Sequence, residues 1–206
     1  MIAIFINATI VTLLFHKQLI EHISKADQTR IPLTITVIHL LFLLGIVAFA
    51  HDPVIFMWLL LFFIGYTTAY PKHQNPLILR EALLVGFFLA GLVVLGGLQG
   101  WWLQPILENM SPTAVFYGSL ALTAITDNAA LTYLGSLVQG TSPEFKLALV
   151  GGAVAGGGLT VIANAPNPAG LAILRSYFPN AAVSAGLLFV AAIPPTIVAI
   201  LALRLL

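Results

Sequence analysis

Few residues in this chain have the chemistry and the placement to make a site. The first is Asp127, in TAITDNAALTYL at 123–134, with Thr126 before it and Asn128 after it. A carboxylate in an apolar run can take a proton or hold a cation. Hydroxyl and amide oxygens beside it can complete the cation's shell. The second group is Asn164 and Asn167, in ANAPNPAG at 163–170, where Pro166 and Pro168 interrupt another apolar run. The same residues have a plainer use, because Asp and Asn are good helix N-caps. Asp127 can cap a helix that starts after it, and either asparagine can cap one that starts near Pro168.

Other chemistry is poorly supplied. The chain has no cysteine, which removes disulfides, thiolate metal sites and cysteine nucleophiles. His16, His22, His51 and His73 stand at the edges of polar segments without metal-ligand spacing. His39 lies inside an apolar run, where it can relay protons or, more simply, bond a neighbouring helix. Ser119 and Ser136 have no histidine base near them in sequence. An aspartyl enzyme needs two carboxylates in one site, and Asp127 is the one acid deep in an apolar segment. The glycines at 151, 152, 156, 157 and 158 lack the Gly-Lys-Ser/Thr ending of a phosphate loop and read as helix-packing positions. The expectation is a non-enzyme without a resident cofactor.

The elements that must position these residues follow from composition. Of 206 residues, 60% are hydrophobic and 7% charged. A soluble domain carries about 25% charged residues, so this chain is read as an all-α integral membrane protein in the cell membrane, multi-pass, and in the inner membrane if bacterial. A net charge of +1 without a basic run gives no reason to expect nucleic acid. Apolar blocks alternate with polar breaks. The first block ends at His16 and is short for a crossing. The others run from Pro32 to Ala50, Val54 to Tyr70, Ala82 to Leu103 and Ala181 to Leu203, the last containing Pro194 and Pro195. HDP at 51–53 is a turn, and QPILENMSP at 104–112 is a loop, with Trp101 and Trp102 suited to the headgroup interface. Arg80 and Glu81 read as an interfacial pair. Lys17, Lys25 and Arg30 share one polar loop, and Lys72 and Arg80 share another, which puts both on the cytoplasmic side.

The region from 113 to 178 differs. The run Thr113 to Gln139 exceeds the roughly 20 residues of one crossing and is polar at its centre. Its expected form is a re-entrant hairpin with its tip at 126–128. The next run, 145–178, should be a crossing helix broken near Asn164 to Asn167, because proline cannot donate a backbone hydrogen bond and disfavours helix just before itself. Broken backbone at membrane depth survives only inside protein or around a polar cavity. Two breaks therefore suggest one shared cavity. The expected organisation is a single membrane domain: scaffold helices over 1–103, a transport region over 113–178, and a final span over 181–203.

The polar hairpin tip TDN, followed by a glycine-rich helix broken at NAPNP, resembles the ion transporter superfamily of arsenite permeases, divalent-anion symporters and related antiporters. The string from ALTAITDNAALTYLGS to GGAVAGGGLTVIANAPNPAGLAILR is most similar to its sodium/proton antiporter branch. The resemblance implies an inverted-repeat carrier working by alternating access, with Na+ and H+ as cargo. It implies a site at Asp127, Asn128 and Thr126 on the hairpin and at Asn164 and Asn167 on the broken helix, with Asp127 and Asn128 as sodium ligands. A full member has two hairpins and about twice this length. This chain has one, so it reads as a C-terminal half that needs its N-terminal half, a second membrane chain or another copy of itself. The alternatives are an anion carrier for arsenite or a carboxylate, and a non-transporting membrane subunit or fragment.

Overall fold

The computed structural model describes residues 1–18, 20 and 31–205, with backbone alone at 81, 176 and 179. The polar loop expected at 16–31 falls largely outside the described residues. So does the Glu81 side chain of the expected pair with Arg80. Among the described residues all regular structure is helical. The helices are α1 (Ile2–Leu14), α2 (Leu33–Ala48), α3 (Pro53–Ala69), α4 (Leu79–Gly96), α5 (Gly100–Glu108), α6 (Pro112–Thr123), α7 (Asn128–Ser136), α8 (Pro143–Gly156), α9 (Asn167–Leu174) and α10 (Ala185–Leu205). Short 3-10 turns at Arg175–Tyr177 and Pro179–Ala181 join the last two. The chain forms two compact units, Lys17–Leu77 and Met1–His16 with Ile78–Leu206.

In the unit Lys17–Leu77, α2 and α3 form an antiparallel hairpin. The turn is set by Asp52, whose Oδ1 accepts from the Val54 and Ile55 N–H groups at 3.1 and 3.2 Å. Pro53 opens α3, where its missing N–H costs nothing. The helices pack through aromatic rings, with Phe42 T-shaped to Phe62 and Phe63 at 5.4 and 5.3 Å.

In the other unit α10 is the helix long and apolar enough by itself to cross a membrane. It continues as one helix through Pro194 and Pro195. It lies against α1, where Asn7 Nδ2 donates to the Pro195 carbonyl at 3.2 Å, and against α8. Its end is fixed to the start of α6: Arg204 Nη2 donates to Thr113 Oγ1 at 3.0 Å, and its guanidinium sits 5.5 Å from the Phe116 ring centre.

The expected span from Ala82 to Leu103 is not one helix. The segments Ala82–Gly96 and Gly100–Glu108 are bent by 81°, and residues 104–108, read as loop, are helical in α5 despite Pro105. The bend falls at the glycines of GGLQG, 96–100, and is packed against α7. Tyr133 presses on Gly96, where an added Cβ would be 2.9 Å from its ring, and its hydroxyl donates to the Val93 carbonyl at 3.0 Å. Hydropathy continues through this point and hides a break that the glycines at 96, 97 and 100 permit.

The centre of this unit is α6 against α8. Gly152 faces the Phe116 carbonyl and the Ser119 hydroxyl, and Gly156 faces Leu120 and Thr123. Residue numbers rise together along the contact, so the two helices run parallel. Gly135 of α7 lies on Leu149, and Asn128 lies on Gly157. Those numbers run in opposite senses, so α7 is antiparallel to α8. The chain therefore turns back on itself between α6 and α7. Val115, Phe116, Phe145, Ala148, Leu149 and Ala155 form the buried core of this arrangement.

Candidate functional site

The turn between α6 and α7 covers 124–127. Leu122 O accepts the Ile125 and Thr126 N–H groups at 3.0 and 2.9 Å, which closes the end of α6. Asp127 then takes an extended conformation, φ −160 and ψ 144, and caps α7. Its Oδ1 accepts from Ala129 N at 2.7 Å and Ala130 N at 3.1 Å. Asp127 is 3% exposed. Both cap bonds end on Oδ1, and Oδ2 takes no hydrogen bond from the described residues. The cap reading of Asp127 is thus correct as local structure, and it leaves half of the carboxylate uncommitted.

The second break is longer than expected. Helix α8 stops at Gly156, and α9 begins at Asn167. The irregular stretch is 157–166, not 164–167 alone. Gly151, Gly152 and Gly156 are packing positions, as the sequence suggested, whereas Gly157 and Gly158 belong to the break. Asn167 organises it. Its Nδ2 donates to the Gly157 carbonyl at 2.9 Å and the Thr160 carbonyl at 3.0 Å, folding the stretch back onto the start of α9. It makes no side-chain cap bond. Asn164 is half-buried and contributes its backbone carbonyl to the Asn167 N–H at 2.9 Å.

The two breaks meet. The backbone N–H of Asn128 donates to the Ala163 carbonyl at 3.0 Å. Thr160 Oγ1 donates to the Ala124 carbonyl at 2.7 Å. The Asn128 side-chain amide lies against Gly157, where a Cβ would be 3.3 Å from Nδ2. Asp127, Asn128 and the 157–167 segment are brought together. Thr126 is turned away: it is exposed, and its hydroxyl donates to Leu122 O at 2.8 Å. Beside the second break is a cavity of about 310 Å³ lined by Gly158, Thr160, Asn167, Gly170, Leu171 and Leu188 among others.

One residue here escaped the sequence reading. Thr123, in the last turn of α6, is fully buried at 0% exposure, and its Oγ1 has no hydrogen-bond partner among the described residues. A buried hydroxyl without a partner costs about 1–3 kcal/mol, so its retention calls for a reason. Its one sequence signal is its place four residues before Asp127. In a run as apolar as ALTAIT that signal is indistinguishable from packing.

The parallel packing of α6 and α8 brings two helix C-termini together, at Thr123 and Gly156. The carbonyl end of a helix carries partial negative charge. Carbonyl ends, an uncommitted carboxylate oxygen and an unpaired hydroxyl make an environment for a cation. Over residues 1–206 the chain matches the family described as "Putative Na+/H+ antiporter", and it belongs to that family. Searches among curated proteins and among solved structures give no match.

Proposed function

We propose that this chain exchanges sodium for protons across a membrane, with both ions using one site between the two breaks. The observation that carries this reading is the bond from the hairpin tip to the second break, Asn128 N–H to Ala163 O at 3.0 Å, beside the buried Asp127. It joins both irregular segments into one polar spot. In this reading Asp127 Oδ2, the Asn128 amide oxygen and the Thr123 hydroxyl hold the sodium ion, with carbonyls from the ends of α6 and α8. Asp127 binds either a proton or the ion, and each occupant displaces the other. Asn164 and Asn167 shape the loop that supplies the opposite wall.

The hairpin is re-entrant in this account. Helices α6 and α7 have 12 and 9 residues, or about 18 and 14 Å at 1.5 Å per residue. Each covers about half of the roughly 30 Å hydrocarbon layer, which puts the tip near mid-membrane. The superfamily resemblance adds an inverted repeat, and with it a second hairpin outside residues 1–206. An anion carrier is not preferred, because neither break contains a Lys, Arg or His and Asp127 would repel the cargo.

The test is sodium-driven pH change in vesicles holding the full chain, together with its completing partner where one exists. Sodium added on one side should drive protons the other way, and Asp127→Asn should abolish this. Normal exchange by a correctly inserted Asp127→Asn variant would overturn the proposal and leave Asp127 as a helix cap.

A further inference from the structure

His39 sits in the middle of α2, in the unit Lys17–Leu77, and the exchange site makes no use of it. Both of its ring nitrogens have partners. Nδ1 is 2.8 Å from the Ile35 carbonyl, and Nε2 is 3.0 Å from Gln74 Oε1. The ring is T-shaped to Phe63 at 5.5 Å and to Tyr66 at 5.9 Å. Gln74 Nε2 is buried and has no hydrogen-bond partner among the described residues.

These contacts constrain the protons. A carbonyl oxygen only accepts, so Nδ1 carries a hydrogen in every state that keeps the 2.8 Å bond. What Nε2 carries depends on which end of the Gln74 amide faces it. With the oxygen facing, Nε2 must donate, and the ring is an imidazolium. With the amide turned over, its NH2 donates to a bare Nε2, and the ring is neutral. The two orientations fill the same space. Each leaves one amide atom in the buried position that lacks a partner: the NH2 in the first, the oxygen in the second. Neither is satisfied fully, so neither is locked.

We propose that His39 and Gln74 form a proton-binding site, separate from Asp127, in which protonation of the imidazole turns the Gln74 amide over. The proton comes from water and goes to Nε2. The surrounding groups leave the choice open. Helix α2 has no other ionisable residue, and α3 offers Tyr66, with Asp52 capping its far end. Lys72 and His73 flank Gln74 in its own segment. Among the described residues no carboxylate faces the ring. Gln74 also receives structure from this segment, its N–H donating to the Pro71 carbonyl at 3.1 Å.

The test is nitrogen NMR of the full chain in lipid nanodiscs, with labelled histidine and His39→Phe to assign the signals. As the pH falls, His39 Nε2 should change from a bare to a protonated ring nitrogen while Nδ1 stays protonated throughout. Gln74→Glu, when ionised, presents acceptors alone and should keep Nε2 protonated to a higher pH than in the wild type. A wild-type Nε2 signal that does not move with pH, or an Nδ1 that is the nitrogen losing its proton, would overturn the site. So would a Gln74→Glu variant that titrates as wild type does. The readout is independent of transport, so it stands or fails apart from the sodium–proton reading.

Discussion

At the scale of residues, the proposed function gives Asp127 a structural and a chemical role on different atoms. Oδ1 holds the start of α7 by accepting from Ala129 and Ala130, and Oδ2 is the atom proposed to take a proton or an ion. Substitutions can separate the two. Asp127→Asn keeps an oxygen for the cap, so thermal unfolding in detergent should change little while exchange is lost. Asp127→Ala also loses the cap and should cost about 1 kcal/mol of stability. Thr123 makes the opposite case. Its hydroxyl is buried and unpaired, so Thr123→Val should leave the protein as stable as before or more so. If the hydroxyl is a sodium ligand, the same variant raises the sodium concentration needed for half-maximal exchange several-fold, and Thr123→Ser restores it. An unchanged sodium dependence in Thr123→Val would remove Thr123 from the site.

At the scale of elements, the site depends on how closely α6 and α8 approach. Gly152 allows it: an added Cβ would fall on the Phe116 carbonyl and the Ser119 hydroxyl, both part of the facing helix. Gly152→Ala should therefore destabilise by about 1–3 kcal/mol, the usual range for overpacking, and lower exchange by separating the two breaks. A variant with wild-type stability would show that the helices have room to spare. Asn167→Ala removes two bonds that fold 157–166 back on itself. At about 0.5–1.5 kcal/mol each, the expected loss is about 1–3 kcal/mol, read from thermal unfolding. Much of this arrangement was legible beforehand. The turn at Asp127 was readable because a long apolar run with TDN at its centre has too many residues for one crossing. The second break was readable because Pro166 and Pro168 forbid regular helix. Its onset at Gly157 was not, since glycine serves packing and unwinding equally well. The bend after Gly96 is masked by continuous hydropathy, although GGLQG at 96–100 carries the glycine signal for a break.

At the scale of the molecule, family membership over 1–206 and the joined breaks converge on ion exchange. Composition placed the chain in the membrane class at once, because 7% charge cannot dissolve a surface of this kind. Thr123 stayed invisible because its lack of a partner exists only after α8 has docked beside it. The exposed faces of α2, α3 and α4 are rich in Leu, Phe, Val and Ile, and they suit lipid. The account's central claim is that a proton and a sodium ion compete for Asp127. Sodium binding to the purified full chain, measured by calorimetry across a series of pH values, tests it most directly. One proton displaced per ion bound predicts an apparent sodium Kd that weakens about tenfold for each pH unit on the acid side of the transition. Asp127→Asn should remove that slope. A sodium Kd independent of pH in the wild-type protein, or the same slope in Asp127→Asn, would contradict the claim.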